Sequence, residues 1–169
     1  IIENPTGRSL WLHMNEPSGS TSFADSSFLQ NNGSCAGSNC PTADGSALTF
    51  DGNDAVVVPD NDSLDLSQYT LALAVKPGLS GSEQMLLAKT SDLGDSQNFQ
   101  LSLSANDQVR FITYDGCGTS GFHALNTPIL AMNEWSHIAA SFDGSVKRLY
   151  LNGVQVASTA YTGIPCQNS

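Results

Sequence analysis

Short apolar runs return along this chain roughly every ten residues, each fenced by Gly, Asn, Asp or Ser. They are SLWLHM (9–14), ALTF (47–50), AVVVP (55–59), YTLALAVKP (69–77), QMLLAKT (84–90), FQLSLS (99–104), QVRFITY (108–114), WSHIAASF (135–142), VKRLYL (146–151) and VQVAST (154–159). Runs this short, rich in Val, Ile, Leu and Phe, lack the three-and-four spacing of an amphipathic helix and read as β-strands. So many strands at such spacing predict an all-β chain folded as an antiparallel two-sheet sandwich or jelly roll.

Alternation supports this reading. In FQLSLS, Phe99, Leu101 and Leu103 share one face, and Gln100, Ser102 and Ser104 share the other. In YTLALAVKP the second face is Ala72, Ala74 and Lys76, small rather than polar, as expected of a central strand. Asp143-Gly144 and Asn152-Gly153 write tight turns, because both pairs reach positive φ at low cost. Residues 15–46 stand apart, with little strand character and many Gly, Ser and Asn. A loop so long in a compact domain is either functional or disordered. The closely spaced Cys35 and Cys40, with Phe23, Phe28 and Leu29, imply that it is folded onto the body.

Four cysteines stand at 35, 40, 117 and 166, in loops rather than in paired zinc-ligand spacing. Their even number and polar surroundings predict two disulfides and an oxidising compartment, extracellular or at the cell surface. Proximity pairs Cys35 with Cys40, which leaves Cys117 for Cys166. The net charge of −10 removes the electrostatic case for nucleic acid or anionic membrane, both of which select cationic surfaces. No apolar run approaches the ~18 residues of a membrane span, so no membrane insertion is expected. Opening on IIENPTG, the chain is expected to be a mature form or a part of something longer. Residues 1–8 read as an N-terminal extension or linker and 9–169 as one domain.

ALTFDGNDAVVVPDNDSLDLSQYTLALAVKP followed by EWSHIAASFDGSVKRLYLNG resembles the laminin-G-like, concanavalin A-like lectin/glucanase jelly roll. The upstream LWLHMNEPSGSTSFADSSFLQNNG is similar to the opening strand, Glu-x-Ser-Gly turn and Asp-Ser-Ser loop of that family. The resemblance runs from Leu10 to about Thr159 and implies that Trp135 packs in the core at a sheet end, with the LYLNG hairpin as scaffold. It also implies one structural Ca²⁺ beside the long first loop, for which Asp25, Asn31, Asn32, Asp51 and Asp54 are the candidates. Two stretches depart from the family pattern: SFLQNNG replaces SGNGNNG, and no F-D-G-x-I-D-E-V-R-I-Y strand pair follows YTGIPCQNS. That departure predicts an apparently missing final strand pair, leaving the opening strand around Leu10–Met14 uncovered. The segment IIENPTGRS of a neighbouring copy is then a candidate donor strand, and self-association into a filament or surface layer the alternative role.

Glucanases of this fold use two carboxylates about 5–5.5 Å apart. Glutamate occurs only at 3, 16, 83 and 134, none with an acidic residue two positions on, so no hydrolytic pair is expected. No nucleophile motif surrounds His13, His123 or His137. The function expected is a non-catalytic module binding a glycan or another surface polymer, in adhesion or attachment. YDGCGTSGFHALNTP (114–128) and GLSGSEQ (78–84) read as its exposed features. Within the first, Tyr114, Phe122 and His123 are candidate stacking groups, and Asp115 and Asn126 candidate hydroxyl-orienting groups.

Overall fold

The computed structural model describes residues 7–90, 97–114 and 122–163, with the backbone alone at Thr90, Gln97 and Phe122. They fall into two compact units, one ending at Asp65 and the other starting at Leu66.

In the first unit, four two-residue strands form two small antiparallel ladders. β1 (Ser22–Phe23) pairs with β2 (Gly33–Ser34), and β3 (Thr42–Ala43) with β4 (Leu48–Thr49). The long run 15–46 is thus folded, and Phe23 and Ala43 are buried while Phe28 and Leu29 are exposed. Two expected strands shrink to single bridges, Leu12 to Asp25 and Val57 to Ser34. The first segment spends a backbone donor on a side chain, Trp11 N on the Asp25 carboxylate. The second exchanges a single pair of hydrogen bonds, between Val57 and Ser34 at the end of β2, so neither extends into a ladder. Cys35 and Cys40 are joined as expected, with S–S 2.09 Å. Cys117 and Cys166 lie outside the described residues.

The second unit is the sandwich. β5 (Tyr69–Val75), β10 (Ser136–Phe142), β11 (Val146–Leu151) and β12 (Val154–Ala160) form one antiparallel sheet in the order β12-β11-β10-β5. β6 (Gln84–Thr90), β7 (Gln97–Leu103), β8 (Gln108–Tyr114) and β9 (Phe122–Ile129) form the other, in chain order. Among the described strands β5 ends its sheet, and its small second face at Ala72 and Ala74 is exposed, so it is not the central strand expected. β9 is absent from the strands that the sequence predicts, because Asn126 and Pro128 interrupt the apolar pattern. It forms as a partner of β8, with proline near its end, where a missing donor is tolerated.

Tyr69, Leu71, Phe99, Leu101, Leu103, Val109, Phe111, Ile138, Ala140, Phe142 and Leu149 make one buried cluster from both sheets. Tyr69 anchors its aromatic part, with ring centroids 4.9 Å from Phe99 and 6.0 Å from Phe142. Inward positions of β10 are Ser136, Ile138, Ala140 and Phe142, so parity sends Trp135 outward. Trp135 is 58% exposed, against the core position that the resemblance implied. The hairpin is scaffold, as expected. Asn152 (φ 51°) and Gly153 (φ 81°) supply the two positive φ values of a type I′ turn. Asp143 accepts from the backbone of Ser145 and Val146 and holds Arg148 at 2.6 Å, which explains the arginine of that strand.

Lys147 shares the inward parity of Leu149 and is fully buried. Its ammonium donates to Thr113 Oγ1 (3.0 Å), to the His123 carbonyl (2.5 Å) and to the Phe111 carbonyl (3.4 Å). It also lies 4.5 Å from the Phe111 ring centroid. All three acceptors belong to β8 and β9, so one β11 side chain bolts the two sheets together. Lys147→Ala removes the cation, strands its acceptors and leaves a cavity. It is expected to lower unfolding stability by about 2–4 kcal/mol in urea titration, and Lys147→Met, which refills the volume, by less.

Candidate functional site

The face of the β6–β9 sheet that points away from the core is polar. Register places Ser102 opposite Arg110 and Gln100 opposite Ile112 across β7–β8, then Asn126 opposite Arg110 and Ala124 opposite Ile112 across β8–β9. On the β6 side, Met85 stands opposite Ser102 and Ala88 opposite Gln100. The rims of the face, Met85, Ala88, Ala124 and Asn126, are exposed, whereas Asn98, Gln100, Ser102 and Ile112 along its middle are buried. The face is therefore recessed along β7.

Two long side chains reach over that recess. Tyr114 donates its hydroxyl to Gln100 Oε1 at 3.2 Å. Arg110 Nη1 meets Glu83 Oε1 at 3.1 Å, although Arg110 is on β8 and Glu83 precedes β6, so the pair spans β7 from one side to the other. Burial raises the Tyr114 hydroxyl pKa above its ordinary value, Arg110 opposes that rise and Glu83 adds to it, consistent with a shared face. Beneath them, both amide atoms of Asn98 and the Ser102 hydroxyl are buried with no hydrogen-bond partner among the described residues. Each unpaired group of this kind costs about 1–3 kcal/mol, so the floor of the recess favours whatever brings donors and acceptors to it.

Of the expected ligand-binding residues, this face brings together Tyr114 and Asn126. His123 pairs with Thr113 and so belongs to the opposite side, its ring 4.9 Å from Tyr161 and its carbonyl on Lys147. Asp115 lies outside the described residues, and Phe122 is described only by its backbone, which pairs with Tyr114. Glu83 lies in the GLSGSEQ stretch expected to be exposed, whereas Asn98, Gln100, Ser102 and Arg110 are not among the residues the sequence singles out as a site. The polar half of the FQLSLS alternation held the signal for two of them.

The candidate calcium residues are engaged otherwise. Asp25 Oδ1 accepts from Trp11 N and Ser27 N, each at 2.8 Å, and Oδ2 accepts from Ser27 Oγ and Asn31 N. Burial raises its pKa, and these hydrogen bonds outweigh the burial, so the carboxyl sits below its ordinary value. Asn32 Oδ1 accepts from Asp25 N, and Asn31 Nδ2 donates to the Ser9 carbonyl and Ser63 Oγ. Asp51 and Asp54 form a turn of their own, Asp54 Oδ2 accepting from Asp51 N. No group of three or more His, Cys, Asp or Glu is placed to hold a metal among the described residues. A cation needs free oxygens, and both of those of Asp25 already face N–H and O–H donors, so Asp25 as placed does not offer itself to calcium.

A sequence model described as the concanavalin A-like lectin/glucanases superfamily matches residues 50–169. The chain belongs to this superfamily. No curated protein matches it. Among solved structures, this superfamily member is similar to an S-layer domain-containing protein (residues 221–444) of Clostridium thermocellum. The identity is 23% with a TM-score of 0.57, over 95% of this chain and 75% of the other. It is also similar to the CBM40 of the Ruminococcus gnavus IT-sialidase, solved with α2,3 sialyllactose. There the identity is 20% with a TM-score of 0.50, over 60% of this chain and 57% of the other. At such identities the likeness shows the fold, a two-sheet antiparallel jelly-roll sandwich.

Two outcomes follow for the loop around Asp25. Asp25→Ala is expected to lose roughly 2–4 kcal/mol of stability, because several backbone donors lose their acceptor together. The folded-state carboxyl lies below its unfolded value, so its stabilisation is full above the ordinary carboxylate range and drains away as acid is added. Urea midpoints measured from pH 6 downward should fall less steeply in Asp25→Asn than in the parent. Excess chelator should leave the thermal midpoint unchanged, and a drop would show a bound ion after all.

Proposed function

We propose that this chain is a non-catalytic carbohydrate-binding module that acts outside the cell or at its surface, in adhesion or attachment. The observation that carries the reading is the recessed polar face of the β6–β9 sheet, with the unpartnered Asn98 amide and Ser102 hydroxyl at its floor. Sugars present rows of hydroxyls that both donate and accept, which is the chemistry such a floor lacks. Exposed Asn126 and half-buried Tyr114 stand at the side of the same face, positioned to orient a ring and cover it. Membership of a lectin-containing superfamily supports the reading, as does the likeness to a CBM40 bound to a sialylated sugar. The Cys35–Cys40 disulfide and the likeness to an S-layer protein domain support the location.

The residue inventory supports the non-catalytic part of the reading. Among the described residues the glutamate at this face is Glu83, engaged by Arg110, and the described strands of the face carry no second carboxylate to complete a hydrolytic pair. The test is a broad glycan array followed by calorimetry on the best-binding glycan. Gln100→Ala and Asn126→Ala should each weaken binding by about tenfold, with melting curves unchanged in the exposed Asn126 variant. Binding that survives both substitutions, or turnover of the bound glycan, would overturn the proposal.

A further inference from the structure

Resting on the reading of this face as a glycan site, we infer that Glu83 is an internal stand-in for a ligand carboxylate, and that the site takes acidic sugars of the uronate class. Three observations carry this. First, the Arg110–Glu83 pair spans β7 and so lies across the floor formed by Ser102 and its neighbours. A ligand reaching that floor must take the place of one partner. Neighbouring strands lie about 4.8 Å apart, so two side chains meeting over the middle strand leave no open path beneath them.

Second, the pair is weakly held. It is a single contact, Nη1 to Oε1, whereas a guanidinium presents a fork that matches both oxygens of a carboxylate. Glu83 is also 57% exposed, and ion pairs between exposed groups are readily exchanged. Third, the surroundings change sign when Glu83 leaves. Among the described residues of the four strands, those pointing to this face include Arg110 and no carboxylate. The groups then facing the ligand are the guanidinium, which only donates, and the Asn98 and Asn126 amides and Ser102 hydroxyl, each of which can donate, while the Tyr114 hydroxyl is already given to Gln100. A carboxylate only accepts, so it suits that set. The acidic surface of the rest of the chain is screened beyond about 8 Å at physiological salt, so it does not govern this contact.

The experiment compares a galacturonate trimer with its fully methyl-esterified form, in which each carboxylate is replaced by an uncharged methyl ester, by calorimetry on the parent, Glu83→Gln and Arg110→Gln. Glu83→Gln should bind both trimers more tightly, because a competitor is gone, and the acid trimer by the larger factor, up to about tenfold. Arg110→Gln should abolish the preference for acid over ester. Equal affinity for acid and ester in the parent, with no separation in Glu83→Gln, would overturn the inference and leave glycan binding standing. Failure of both trimers on all three proteins would overturn it too, and a blank glycan array in addition would remove the parent reading.

Discussion

Strand β7 is buried on both faces, and the sandwich is organised around that constraint. Phe99, Leu101 and Leu103 fill the core between the sheets, while Asn98, Gln100 and Ser102 are covered on the far side. A half-exposed strand leaves its polar side chains to water; this one cannot. Gln100 is served by Tyr114, yet Asn98 and Ser102 remain unpaired among the described residues. A fold that carries uncompensated polar groups at such a place holds energy that a suitable ligand releases.

The strands around β7 make the recess durable. Lys147 fixes the facing sheet to Phe111, Thr113 and His123, which are the residues from which β8 and β9 present Arg110, Tyr114 and Asn126 on the other side. The cation is hidden, multiply hydrogen-bonded and packed against an aromatic ring, so it positions backbone and takes no part in recognition. In the first unit a buried carboxylate does comparable work. Asp25 gathers the backbone of Trp11, Ser27 and Asn31, and a chain with little regular structure there is held by side-chain hydrogen bonds.

Period-two alternation and turn chemistry were enough to place seven of the eight sandwich strands, because Asp-Gly and Asn-Gly turns mark their ends and β-branched runs fill them. β9 escaped, since an asparagine and a proline in an exposed strand look like loop. Lys147 was legible in principle from its parity with Leu149, but a lysine at an inward position reads as surface by habit. Trp135 shows the converse: parity sends it outward, and family likeness alone had placed it inside. The candidate site was half legible. Tyr114 and Asn126 share a face that strand register makes visible only after β9 is recognised. Glu83 and Arg110 are 27 residues apart and meet by crossing a strand, which no local pattern records. Asp25 suited a cation by type, but sequence cannot show that N–H and O–H donors already face both of its oxygens.

The most direct test of a glycan site on this face is nuclear magnetic resonance of the side-chain amides during titration with the best-binding array glycan. The account predicts that the Asn98, Gln100 and Asn126 amide signals move together and saturate at one affinity. Shifts confined to the loops around Trp135, with those three amides unmoved, would contradict it.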